Sequence, residues 1–321
     1  MERTRIGAAA LALALGLAAS PGVAATSIGS IYAFGDSLND CCRNGGAPFT
    51  NGPETWLPAF AAAVGGTYAE TLSFNYAVGG AQTGPVNAVP ATDTALGYPT
   101  GFTSQAARFR DDAPATGDHD LGVVWVATND IWASANDSDL LFGAVPYNRP
   151  VGKQPDVEVF VDYAVSTLRS GIDDLVAGGI EKLLILTPYD MASSALLDSP
   201  GAVALGTAYS LALRDALSGL YTPGIDTWVL DMVTVLEDAQ ASFPFKTGAE
   251  PCPAPTDPAG CDDYVFVDFV HLTTAMNAIV SDEAASLVMS TPPVAPVPLP
   301  GGMVLLLGGL AGFGALRLRA A

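Results

Sequence analysis

Residues 28–40 read Ile28-Gly29-Ser30-Ile31-Tyr32-Ala33-Phe34-Gly35-Asp36-Ser37-Leu38-Asn39-Asp40, and the change of character at Gly35 decides the architecture. Up to Phe34 the run is rich in the β-branched and aromatic residues that suit a strand. Gly35 then permits a sharp turn, and the residues after it are mostly polar. In an open α/β sheet, ligands sit outside the carboxyl ends of the strands. The turn therefore presents the Ser37 hydroxyl to a crevice. Taken alone, Ser37 equally suits the cap of a following helix, a common place for Ser, Asp and Asn.

Working outward, strand and helix signals alternate. Strands are expected at residues 28–34, 71–76, 121–127, 182–187 and 227–230. Helices are expected from a cap at Thr55 through Val64, and at 159–176, 203–220, 232–240 and 273–289. The second of these carries Val159, Phe160, Tyr163, Ala164, Leu168, Ile172, Leu175 and Val176 at one-face spacing, and Gly178-Gly179 stops it. Such alternation predicts a mainly parallel sheet with helices on both faces. Residues 84–101 and 136–156 read as long loops, and 243–263 as a loop holding two cysteines. No internal repeat is present.

Both ends of the chain differ from this body. Residues 1–25 have the form of a secretory signal peptide: basic Arg3 and Arg5, an apolar stretch over 6–19, and small residues Val23-Ala24-Ala25 at a cleavage site. A membrane anchor is the alternative, but the apolar run is short and ends in Ser20-Pro21-Gly22. Residues 292–300 form a proline-rich linker. Residues 301–316 then carry no charge before Arg317 and Arg319. As a helix this stretch spans roughly 24 Å, a little under the roughly 30 Å hydrocarbon core. A buried core helix is the alternative, disfavoured by the linker that separates it from the rest. Pro298-Leu299-Pro300-Gly301-Gly302, the apolar helix and the Arg-X-Arg end resemble VPLPA-type C-terminal sorting signals of bacterial exported proteins. That resemblance implies export and sorting machinery as partners, at least transient attachment to the membrane through the C-terminal helix, and residence in the cell envelope or outside.

The body, residues 26–291, is long enough for one large α/β domain. The whole chain carries a net charge of −20; without Glu2, Arg3, Arg5, Arg317 and Arg319, 9 basic and 32 acidic residues remain, a balance of −23. Such a surface repels nucleic acid and anionic headgroups. Export permits disulfides. Cys252 and Cys261 flank a proline-rich loop and are the first choice for a bridge; the adjacent Cys41 and Cys42 pair with each other or with the later two. Two histidines and no Cys-X-X-Cys disfavour zinc.

Three further blocks bear on chemistry. Asp268 precedes His271 by three residues, so one turn of backbone brings a carboxylate to an imidazole, the pairing that makes a serine hydroxyl nucleophilic. The other histidine, His119, lies in a solvated acidic loop. Asn75-Tyr76-Ala77-Val78-Gly79-Gly80-Ala81 follows the second expected strand, and glycine lets a backbone N–H approach a substrate. Ala127-Thr128-Asn129-Asp130 follows the third, and the Asn129 amide is a second donor. Each block also has a plainer reading as a turn or a helix cap. Together they follow successive strands at their carboxyl ends.

In that combination the blocks resemble the SGNH hydrolases, also called GDSL-type esterases and lipases. The resemblance implies an α/β/α sandwich with a flavodoxin-like sheet of about five strands. It implies Ser37, Asp268 and His271 as catalytic triad, and Ser37, Gly79 and Asn129 as oxyanion hole. It also implies an ester substrate, small-molecule, lipid or glycan, and no cofactor or metal. Ala127 stands where the family has glycine, which adds a methyl beside the site. No Gly-X-Ser-X-Gly elbow occurs, which argues against the α/β-hydrolase fold. A carbohydrate O-deacetylase or phospholipase of the same fold, and a non-catalytic surface-binding protein, are the alternatives.

Overall fold

Three five-residue runs are buried at every position: Ile31–Gly35 (β1), Leu121–Trp125 (β2) and Lys182–Leu186 (β3). Strands covered on both faces have this character. With Asp226–Leu230 (β4) they form a parallel sheet in the order β1-β2-β3-β4. These elements come from a computed structural model that describes residues 26–43, 46–136, 154–243, 245–246, 250–253 and 258–294. The expected signal peptide, most of the proline-rich linker, the C-terminal helix and most of the 136–156 loop lie outside the described residues. Among the described residues, no helix is long and apolar enough to cross a membrane.

Helices flank the sheet: Leu57–Val64 (α1), Pro90–Leu96 (α2), Phe102–Asp112 (α3), Thr128–Ala135 (α4), Val157–Ala177 (α5), Pro200–Ser218 (α6), Met232–Ser242 (α7) and Thr274–Ser290 (α8). Along α5, buried Phe160, Ala164, Leu168, Ile172 and Leu175 repeat on one face, and the helix packs against α3 and α6. Elsewhere α8 packs on α1, α7 and β4. The architecture is an α/β fold with a four-stranded parallel sheet between helices.

The expected strand at 71–76 does not form. The chain near it still runs beside β1, through parallel bridges of Ser30 with Thr67 and Ala33 with Asn75. Between them it turns on itself, because the N–H groups of Phe74 and Asn75 both donate to the Thr71 carbonyl, at 3.1 and 2.9 Å. Turn bonds over 71–75 leave only a short parallel contact with β1, through the Ala33 N–H to the Phe74 carbonyl and the Tyr76 N–H to the Ala33 carbonyl, both at 2.8 Å, so among the described residues the sheet has four strands rather than about five. The broken segment lies on the outer side of β1, where a flavodoxin-like order places its second strand. Residues 84–101 also differ from expectation, since they contain α2, which starts at Pro90 and ends at Gly97 in a left-handed cap. No helix is expected where α3 and α4 lie.

The position of α3 matters most for the Ser37 turn. Its Phe109 makes edge contacts with the rings of Tyr32, Phe34 and Tyr76 at centroid distances of 5.0, 5.3 and 5.4 Å. One helical turn earlier, Gln105 reads both main-chain groups of Gly35. Its Oε1 accepts from the Gly35 N–H at 2.7 Å and its Nε2 donates to the Gly35 carbonyl at 2.8 Å. Gly35 has φ of 123°, and a Cβ there would lie 1.8 Å from the Trp125 carbonyl oxygen of β2. Two bridges close loops: Cys252–Cys261, beside Val267, and Cys41–Cys42, just after the Ser37 turn.

The Gly35→Ala variant is therefore expected to lose about 3 kcal/mol or more, since strained φ and a backbone clash act together. At this chain length that corresponds to a drop in melting temperature of roughly 10 °C. Thermal unfolding of the purified variant checks it, and a shift of only a degree or two would contradict the close approach of β1 and β2.

Candidate active site

Ser37 follows Gly35 and Asp36 in a turn rather than a helix. The Asp36 side chain accepts from the Leu38 N–H at 3.1 Å, and the N–H groups of Asn39 and Asp40 return to the Asp36 carbonyl. That turn lifts the half-buried Ser37 out of the sheet plane, so its plainer reading as a helix cap does not apply.

From the other end of the domain, residues 265–273 form a braced loop. The Val267 N–H donates to the His271 carbonyl and the Thr273 N–H to the Val265 carbonyl, at 2.8 and 3.0 Å. The Cys252 N–H donates to the Phe266 carbonyl, and the Tyr189 hydroxyl to the Val270 carbonyl at 2.7 Å. At the tip, Asp268 Oδ1 accepts from the N–H groups of Val270 and His271 at 2.9 and 2.8 Å. Its Oδ2 lies 2.6 Å from His271 Nδ1, and His271 Nε2 lies 2.7 Å from Ser37 Oγ. With Nδ1–H donated to the carboxylate, Nε2 is the nitrogen left to accept the serine proton. Burial alone would raise the Asp268 carboxyl. The hydrogen bond and charge of His271 and the two N–H groups outweigh it, and hold the group below the usual carboxylate range. The Phe49 ring stacks on the imidazole at 4.8 Å. The other histidine, His119, is exposed at the opposite, amino-terminal end of the strands, beside Lys182.

Asn129, in the first turn of α4, donates from Nδ2 to the Ala81 carbonyl at 3.2 Å, and its side chain also bonds the Asp36 carboxyl beneath the cavity. The Gly79 N–H, the expected backbone donor, is donated to the Asp40 carboxylate, Oδ2, at 2.8 Å. Among the described residues, the N–H groups of Ser37 and Gly80 have no hydrogen-bond partner. Gly80 has φ of 81°, and a Cβ there would meet Asn87 Oδ1 at 2.3 Å. Both glycines were equally visible in the sequence, and only the distant Asp40 separates them. Ala127 carries its methyl in a fully buried position with φ of 103°, away from the cavity wall, so it does not narrow the site.

These groups surround a cavity of about 200 Å³, whose wall includes Ser37, Gly80, Asn129, His271, Val89 and Leu196. A larger hollow of about 490 Å³ between β4, α7 and α8 has no histidine among its lining residues. A family model described as GDSL-like Lipase/Acylhydrolase matches residues 31–284.

The chain belongs to the GDSL-like lipase/acylhydrolase family.

Among solved structures, it is similar to a member of the lipolytic protein G-D-S-L family from Veillonella parvula, at 14% identity and a TM-score of 0.44, covering 81% of this chain and 97% of that one. It is also similar to a GDSL-like lipase from Parabacteroides merdae, at 12% identity and a TM-score of 0.47, covering 84% and 99%. No curated protein matches it.

Two carboxyls lie under this cleft. Asp36 and Asp130 are buried, and each is pushed up to about 7, chiefly by burial. The Leu38 N–H opposes the rise at Asp36 and the charge of Asp130 adds to it. At Asp130, Thr83 opposes it through Oγ1 and N–H at 2.7 and 2.9 Å. Because the folded values lie above the unfolded ones, the native state keeps protons that the unfolded chain releases. Their stabilising contribution is complete below pH about 4 and declines as pH rises toward 7. Asp130→Asn keeps the shape and removes one titration. Its stability relative to the parent is expected to improve by about 1 kcal/mol or more as pH rises from about 4.5 to 7.5. Denaturant unfolding across that range checks it, and a constant difference would mean that Asp130 does not titrate there.

Proposed function

We propose that the chain is an exported serine esterase that hydrolyses carboxylic esters through an acyl-enzyme on Ser37. The observation that carries this reading is the continuous relay from Ser37 Oγ through His271 to Asp268, at 2.7 and 2.6 Å. His271 Nε2 takes the hydroxyl proton as Ser37 Oγ attacks the acyl carbon, and Asp268 stabilises the imidazolium. The developing oxyanion is held by the N–H groups of Ser37 and Gly80 and by Asn129 Nδ2. His271 returns the proton to the leaving alcohol. It then draws a proton from water, which attacks the acyl carbon, and passes that proton to Ser37 Oγ as the carboxylic acid leaves.

A cavity of about 200 Å³ is small beside the roughly 300–1,000 Å³ of drug-sized sites, and this supports a short acyl group. Acetylated glycans are thereby kept among the candidate substrates alongside simple short-chain esters. Export rests on the sequence pattern of residues 1–25, and attachment to the envelope on residues 301–321. The secreted product is expected to begin at Thr26, which amino-terminal sequencing reads directly. A product retaining Arg3 and Arg5 would sink the export proposal.

Ser37→Ala is expected to lower turnover of a short-chain ester by on the order of 10⁶-fold without changing the melting temperature by more than a few degrees. Unchanged turnover would remove Ser37 from the reaction. Asn129→Ala is expected to lower kcat by about 100- to 1000-fold with a much smaller change in KM. A pure KM effect, measured by steady-state kinetics on the same ester, would instead assign Asn129 to substrate binding.

A further inference from the structure

Gly79 is held at both of its main-chain ends by buried side chains outside the triad. Its N–H donates to Asp40 Oδ2 at 2.8 Å, while its carbonyl accepts from Asn87 Nδ2 at 2.8 Å. That carbonyl and the Gly80 N–H belong to one planar trans peptide, so they point in opposite directions. Whatever fixes the Gly79 carbonyl therefore also aims the Gly80 N–H. A donor on the carbonyl also polarises the peptide and strengthens its N–H as a donor in turn.

We propose that Asp40 and Asn87 are positioning residues that form a two-sided clamp on Gly79 and thereby direct the Gly80 N–H at the oxyanion. Each member is anchored on its far side. Asp40 Oδ1 accepts from the N–H groups of Cys42 and Arg43 at 2.8 and 2.9 Å, in the segment that the Cys41–Cys42 bridge closes. Asn87 Oδ1 accepts from the Val89 N–H at 2.8 Å, and its Nδ2 also reaches Thr100 Oγ1 at 3.0 Å. Thr100 in turn donates to Asp93 through Oγ1 and N–H at 2.6 and 2.9 Å. Both Asp40 and Asn87 are almost completely buried, so water does not compete for these bonds. The clamp ties the turn that carries Ser37 to the loop that carries Gly80. The nucleophile and its oxyanion donor are thereby held in one frame.

This inference rests on the acyl-transfer reading, and its test is built to separate the two. Asp40→Asn and Asn87→Asp keep side-chain volume but reverse the polarity of one contact each: an amide N–H faces the Gly79 N–H, or a carboxylate faces the Gly79 carbonyl. Near pH 8, each variant is expected to lose about 10- to 100-fold in kcat, less than outright loss of an oxyanion donor. KM should stay within about threefold, and inactivation of Ser37 by an alkyl fluorophosphonate should slow in parallel with kcat. Amide hydrogen exchange provides a readout that needs no catalysis. The Gly79 amide is expected to exchange slowly in the parent and at least about tenfold faster in both variants, while β3 amides are unchanged. Variants matching the parent in kcat, labelling and exchange would overturn the clamp. So would loss of melting temperature with kcat intact in the folded fraction. A parent that neither hydrolyses esters nor labels at Ser37 would overturn the acyl-transfer reading, and with it any role for the clamp in stabilising an oxyanion. The exchange data would still decide whether Asp40 and Asn87 hold Gly79.

Discussion

A proton can leave Ser37 for His271 only if residues 234 positions apart in the chain come within hydrogen-bond distance. The fold meets that requirement by placing both beyond the carboxyl end of the parallel sheet. Ser37 follows β1 directly, so its position is set by strand pairing and by the hold of Gln105 on Gly35. His271 belongs to no strand. It sits on a loop whose placement depends on Tyr189, on the Cys252–Cys261 segment and on Asp268 bonding to the backbone of its own turn. Asp268 thus orients the imidazole twice, through the ring nitrogen and through the main chain that carries it. Losing that carboxylate would disturb the loop as well as the proton relay.

Much of this was legible in the sequence, and the reasons are local. The turn at Gly35, the Asp-X-X-His spacing and the polar blocks after apolar runs each express a short-range rule, and β1, β2, β3, β4 and α5 follow from apolar pattern. The failures have longer-range causes. Residues 71–76 have strand composition, yet the Thr71 carbonyl captures two N–H groups and the segment turns. Phe102, Ala106 and Phe109 carry the spacing of a helix face, but Gly101 offers no side-chain cap to mark its start. Gly79 and Gly80 could not be told apart from neighbouring residues, because what separates them is the bond of the Gly79 N–H to Asp40, a residue 39 positions away. Cysteine pairing, for which the sequence offered only a first choice at Cys252 and Cys261, is fixed by proximity in the fold.

The chain is strongly acidic, and its cleft handles that charge in two ways. Asp268 keeps its negative charge because an imidazole and two N–H groups compensate for lost hydration. Among the described residues, Asp36 and Asp130 have no cation against them. Burial raises them until the neutral form competes near neutral pH, so they act mainly as hydrogen-bonding groups. Asp130 bonds Thr83, and Asn129 beside it bonds the Ala81 carbonyl, so α4 and the glycine loop are joined by two adjacent residues. An anionic pair in that place would oppose negative charge developing in the cleft, and burial disfavours the anionic form of both carboxyls.

Three residues with positive φ lie around the same cleft. Gly35, Gly80 and Ala127 all have positive φ, and each lies where one of the three blocks turns. At Gly35 and Gly80 glycine answers the conformation and the lack of room together. Ala127 does not, since an alanine with φ of 103° is sterically unfavourable. Its position explains why the conformation persists. The chain must leave β2 and enter α4 within a few residues for Asn129, at the second position of that helix, to face the cavity. A relaxed backbone at 127 would delay or rotate the helix start and turn the Asn129 amide away from Ser37. The surrounding core, with Val126, Ala127 and Ile131 all buried, holds the strained residue in place. Rigid packing beneath the cleft and strained turns at its rim are therefore two sides of one arrangement, in which scaffold stability sustains the geometry that the donors require.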